Sequence, residues 1–335
     1  MHRTLVGLFT VAMAAAAAAA DPPAGYKLEK TIPVKGDGGW DYLTVDSGGR
    51  RVYVSHATVV DVLDADSGEL KGQIPDTAGV HGIAVAADLG RGFTSNGRAD
   101  TVTAFDLKTL KPIASVKTGK NPDAILYDPA TKRVFAFNGN SKSATVIDAT
   151  DDKVVGTIDL GGKPEGTATD GTGHVYVNLE DTAELLRLDA RDLKVLDRWS
   201  VAPAKLPVSL AMDPTTGRLF VGCRSKELLV LDAKTGKAVA TLPIGERVDA
   251  GAFDPETKLI FCSCGDGTVS VVSQEGPDKY VAVGQLQTKP GSKTMALDQK
   301  THKLFLPMAE FKPAAKGGGR PTAVPGTFAV LVFGK

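Results

Sequence analysis

A two-strand phrase recurs seven times along this chain: a short apolar run, a turn that contains Asp, and a second apolar run. It reads WDYLTVDSGGRRVYVSH in the first unit, PDAILYDPATKRVFAFN in the third and PVSLAMDPTTGRLFVGC in the fifth. The turn positions are Asp46, Ala86, Asp128, Asp170, Asp213, Asp254 and Asp298, spaced by 40, 42, 42, 43, 41 and 44 residues. A third and a fourth apolar run follow each phrase, as in SATVIDATDD and VVGTIDLG, so a unit has four strands. A period of about 40–50 residues with four strands per unit predicts an all-β chain folded as a seven-bladed β-propeller. In such a ring each sheet packs its faces on its neighbours, which explains why apolar residues run together in these strands as well as alternating.

The two ends of the repeat predict how the ring closes. The seventh unit supplies a first strand at 293–297, a second at 304–308 and a third in TFAVLVFG, with no fourth after it. Residues 26–35, YKLEKTIPVK, have the character of an outermost strand and are expected to complete blade seven from the other end, removing an open sheet edge. One connection is unusually long: 309–326, rich in Pro and Gly, with Lys312, Lys316 and Arg320, reads as a basic surface loop or a flap over one end of the channel.

Composition narrows the function. The chain has 335 residues, 39 basic and 39 acidic, with 6% aromatic residues. There is no global attraction to nucleic acid or anionic membrane, and no nucleic-acid partner is expected. Residues 1–20 read as a cleaved signal peptide: His2 and Arg3, then a small apolar run ending in Ala18-Ala19-Ala20. The mature chain, 21–335, is expected to be one domain without a membrane span, periplasmic or secreted, and monomeric. Its three cysteines, Cys223, Cys262 and Cys264, read as small buried hydrophobes, although a Cys223–Cys264 bridge between neighbouring blades is conceivable.

The phrase DPATKRVFAF, repeated as DPTTGRLFVG and DPETKLIFCS, resembles the YVTN-type seven-bladed propeller repeat, and the chain from 26 to 335 is similar to exported bacterial YncE-like proteins. The resemblance implies the fold. The matching residues are turn and strand positions, so they imply no function. DNA-binding, scaffold and surface roles are proposed for some members, and related propellers include lactonases and electron-transfer enzymes.

Chemistry is expected at one channel mouth. Five residues before each turn position stand Asp41, His81, Asp123, Glu165, Val208, Asp249 and Lys293, of which six are polar and lie ahead of apolar strands. Ten residues after it stand His56, Asn96, Asn138, Glu180, Cys223, Cys264 and Met308, a second ring expected at the same end. Carboxylates facing one another across a channel favour a bound cation or retained protons. Asp41, His56 and His81 together form a candidate divalent-metal or acid/base site, with imidazole and carboxylate ligands. Trp40 is a candidate stacking wall, and Arg98 and Arg224 could engage an anion. His174 and His302 fall in turns expected at the opposite end. The chain has no G-x-S-x-G, Walker A, H-E-x-x-H, C-x-x-C or C-x-x-C-H motif. The leading expectation is an exported binding or scaffold module that engages a small molecule, a divalent metal or a periplasmic protein. The alternative is a metal-assisted, lactonase-like hydrolase using Asp41, His56, His81, Asp123 and Glu165.

Overall fold

A computed structural model describes residues 23–36, 38–312 and 322–335; the expected signal segment lies outside them. Seven antiparallel sheets of four strands follow in order around a ring. The innermost strands of blades 1 to 6 are Leu43–Asp46, Val80–Ala86, Pro122–Asp128, Pro164–Thr169, Pro207–Asp213 and Val248–Asp254. Blade 7 has the shorter Ala296–Asp298, starting three residues later than the apolar pattern predicts. Its outermost strand is Lys27–Pro33, which pairs with Ala329–Gly334, so the expected closure by both ends of the repeat is present. The long connection in blade 7 begins and ends as a two-residue ladder, Phe311–Lys312 against Thr322–Ala323.

Apolar clusters fill each gap between neighbouring blades. The second strand of blade 3, Arg133–Asn138, shows the logic. Val134 and Ala136 pack with Phe93 and Ala104 of blade 2, while Phe135 and Phe137 pack with Val175, Val177 and Leu179 of blade 4. Alternate side chains leave opposite faces of a strand, and here both faces meet a core, so the strand is apolar throughout. The outer strand Val154–Asp159 has one covered face and is mostly exposed. The closing segment belongs to two such cores: Tyr26 packs between blades 6 and 7, Ile32 and Val34 between blades 7 and 1.

The repeated turn Asp ties blades together at the end away from the candidate mouth. Asp254 accepts from the Thr257 hydroxyl at 2.7 Å within its own turn and from His302 Nδ1 of blade 7 at 2.8 Å. Asp128 accepts from Thr131 at 2.7 Å and from Thr169 Oγ1 of blade 4 at 2.8 Å. Asp298 accepts from Thr301 at 2.6 Å and from Arg50 of blade 1 at 2.7 Å, across the closure. Burial alone would raise the pKa of Asp254 and Asp298, but these donors outweigh it and hold both below the usual range. Blade 2 has Ala86 at this position and makes a single 3-10 turn, Ala87–Leu89, instead. His302 thus lies at the opposite end, as its place in the turn predicts. The three cysteines are free and buried, which excludes the Cys223–Cys264 bridge.

Candidate functional site at the channel mouth

The residues ahead of the inner strands are held by hydroxyls of neighbouring strands. The Asp41 N–H donates to Ser55 Oγ at 2.8 Å, and the Asp41 carbonyl accepts from Thr294 Oγ1 of blade 7 at 2.6 Å. The Asp123 carbonyl accepts from Ser95 of blade 2, and the Lys293 carbonyl from Ser263 of blade 6 at 2.5 Å. The backbone carbonyls of Asp41, Asp123 and Lys293 are therefore each held by a hydroxyl of the blade before.

These side chains form an almost continuous circuit of charge. His81 Nδ1 donates to Asp41 Oδ2 at 2.7 Å and lies 3.7 Å from Asp123 Oδ1. Lys163 bonds Glu165 at 2.5 Å and Glu180 at 2.7 Å. Arg224 bonds Glu180 at 2.5 Å and Asp249 at 2.8 Å. Lys293 pairs with Asp249 and stands 3.7 Å from Asp41, which brings the circuit back to blade 1. The circuit has two more carboxylates than lysines and arginines. The two carboxyls pushed upward are Asp123, to about 6, and Glu165, to about 7. In both the first cause is burial, to which neighbouring carboxylates add. Glu180, which shares Lys163 with Glu165, moves the other way: burial is outweighed by Lys163 and Arg224. Burial works against an imidazolium at His81, but the Asp41 bond and the Asp123 charge raise its pKa. The Tyr42 phenol, partly buried beside these carboxylates, is raised well above its usual value, first by burial and then by their charge.

One group among the described residues could hold a metal ion: ligand atoms of Asp41, His81 and Asp123 all lie within 4.8 Å of one another. Gly97 permits this. A Cβ there would stand 2.7 Å from His81 Nε2 and 2.8 Å from the Asn121 side-chain oxygen, so the ring rests on bare backbone and turns Nδ1 toward the carboxylates.

His56 is not a member of this group, which corrects the expected Asp41, His56 and His81 set. It ends the face of Arg51–His56 on which Val52 and Val54 meet blade 7. Its Nδ1 bonds Asp61 at 2.8 Å, and its ring packs against Phe328 at 4.8 Å. Asp123 takes its place. The second expected ring largely fails for the same reason. Asn96 and Asn138 are buried in Thr and Ser hydrogen bonds, and Cys223, Cys264 and Met308 are in cores. Glu180 alone reaches the circuit. Arg224 is engaged by two carboxylates rather than free for an anion. Lys163 is a circuit member with no distinguishing sequence signal beyond its place two residues before Glu165. Trp40 stacks on Phe328 at 4.8 Å and lines two depressions beside the mouth. A narrow channel cavity of about 170 Å³ follows, lined by inner strands from Tyr42 to Gly251.

Comparisons with known proteins agree with this architecture. A family profile described as YNCE-like beta-propeller matches residues 38–175. Antigen Lp49 of Leptospira interrogans is 28% identical over 183 residues, which span 51% of this chain but only 40% of that protein. The uncharacterized protein YncE of Salmonella typhimurium is 23% identical over 252 residues, 68% of each chain. A solved chain of Kuenenia stuttgartiensis hydrazine synthase superposes with a TM-score of 0.70 at 17% identity, covering 82% of this chain and 94% of that one. A chain of the mitotic checkpoint complex gives 0.74 at 15% identity over 99% of both, and at such identities only the fold is shared. The ring of seven four-stranded blades makes the chain a seven-bladed β-propeller, and the profile and the relatives show that it is similar to YncE-like propeller proteins.

Proposed function

We propose that this chain is an exported binding module whose channel mouth holds a divalent cation between Asp41, His81 and Asp123. The observation that carries the reading is the convergence of three ligand atoms from blades 1, 2 and 3 within 4.8 Å. One imidazole and two carboxylates suit Zn²⁺ or another first-row divalent ion. The charge balance supports it: the mouth has more carboxylates than lysines and arginines, and burial with neighbouring carboxylates pushes Asp123 to about 6 and Glu165 to about 7, a strain that a doubly charged ion would relieve. The alanine-rich segment before Asp21 supports export.

Calorimetric titration of Zn²⁺ and Mn²⁺ into the mature chain, beside elemental analysis of protein purified from periplasm without chelator, tests the reading. One ion per chain is expected, lost in His81→Ala and weakened at least about tenfold in Asp123→Asn, with His56→Asn unaffected. Absence of saturable binding to the folded wild type would overturn it. A hydrolytic reading of the same mouth is favoured by Glu165, whose pKa near 7 suits a general base. It requires metal-dependent turnover in a lactone and ester screen that Glu165→Gln abolishes.

A further inference from the structure

A second depression adjoins the cation cluster. It measures about 450 Å³ and lies between blades 1, 2 and 3, lined by Trp40, Asp41, Val80, His81, Arg98 and Asn121 among others. Arg98 is its distinctive member. Among the described residues its guanidinium has neither an ion pair nor a hydrogen bond. Arg224, which also follows a second strand, is by contrast fixed by Glu180 and Asp249.

The carboxylates that could have neutralised Arg98 are occupied elsewhere. Asp100, two residues on, accepts from Lys120 Nζ at 2.7 Å and from the Asn121 N–H at 2.8 Å. Asp41, which also lines the depression, lies between His81 at 2.7 Å and Lys293 at 3.7 Å. An exposed guanidinium with five donors at the rim of a concavity is suited to a planar acid group.

The apolar half of the site lies on the other side of Trp40. Gly39 and Trp40 also line a larger cavity of about 710 Å³, whose walls include Phe311, Val324, Pro325 and Phe328. Trp40 is held there by its stacking on Phe328, with ring planes 22° apart, and by Phe311 at 5.9 Å. The side chain thus gives a fixed apolar wall between a cationic rim and a hydrophobic cavity.

We propose that this two-part depression binds a small organic anion with an apolar body, its acid group on Arg98 and its body against Trp40. The assignment is independent of a cation at Asp41, His81 and Asp123.

The test is calorimetric titration, in EDTA at pH 7, of 4-phenylbutyrate, its uncharged amide and acetate. The acid is expected to bind at one site per chain, the amide at least about tenfold more weakly, and acetate without saturation. Arg98→Gln should bring the acid down to the level of the amide, with Arg98→Lys recovering part of the difference. Trp40→Ala should weaken acid and amide by the same factor. Equal binding of acid and amide, an unchanged Arg98→Gln, or no saturable binding of any probe to the folded wild type would overturn the proposal. Circular dichroism and melting of each variant report folding, and Arg98 is exposed, so its loss leaves the cores intact. A separate Mn²⁺ titration without organic probe reads the cation site alone, so either result stands without the other.

Discussion

At the scale of single residues, the mouth depends on side chains that share partners. Glu165 and Glu180 both reach Lys163, and Glu165 is the one pushed up, to about 7. A carboxyl whose folded pKa lies above its unfolded value near 4.5 favours the fold fully below that value. Its contribution is lost as pH rises through the folded pKa. Stability should therefore fall between about pH 4.5 and 7 by roughly 1–2 kcal/mol through this group. Glu165→Gln should flatten that part of the pH profile, as measured by urea unfolding at pH 5 and pH 8. An unchanged slope would show that Glu165 titrates normally. Gly97→Ala makes a second residue-scale prediction: its methyl meets the His81 ring, so cation affinity should drop at least about tenfold while the inter-blade cores remain.

The same scale shows what could be read in advance. Asp41, His81, Asp123, Glu165, Asp249 and Lys293 share one position ahead of the repeated turn, and all six stand in or beside the circuit. His56 was legible too, through strand parity: residues 52, 54 and 56 share a face, and that face packs on blade 7. Glu180 reaches the mouth because blade 4 is one residue shorter in its first turn. Leu179 pairs with Pro164 where Asn138 pairs with Pro122, so Glu180 falls just past the strand end. The partners of Arg224 were not legible, because Glu180 and Asp249 stand in the blades on either side, 44 and 25 residues away, and only the closed ring sets their distance.

At the scale of strands and turns, the recurring Asp of blades 3, 5, 6 and 7 serves two blades at once. Its turn role is visible in the repeat, as Asp-Pro-x-Thr, but its second bond is not, because the donor differs each time: Thr169, Gln274, His302 or Arg50. The Arg50–Asp298 pair has a wholly buried carboxylate and spans the closure. Arg50→Ala should cost about 1–3 kcal/mol in chemical denaturation. Lys153→Ala, which removes the exposed Lys153–Asp151 pair, should leave stability unchanged within error. Equal effects of the two would mean that the latch contributes nothing.

At the scale of the whole molecule, stability and site are one property of the ring. The closing strand Lys27–Pro33 and the residues beside it bring Tyr26, Ile32 and Val34 into cores on both sides of blade 7. Burial of side chains of this size contributes about 1.5–3 kcal/mol each, so removing residues 23–35 should destabilise the chain by roughly 5 kcal/mol or prevent folding. Because Thr294 of blade 7 fixes the Asp41 carbonyl, the truncated chain should also lose cation binding. The central claim is that closure brings Asp41, His81 and Asp123 of three blades to a single ion. Crystals of the mature protein soaked in Mn²⁺ and measured for anomalous scattering test this most directly. The account predicts one strong peak within about 2.0–2.3 Å of ligand atoms of all three residues. A map with no peak there, from crystals whose mouth is open to solvent, would contradict it.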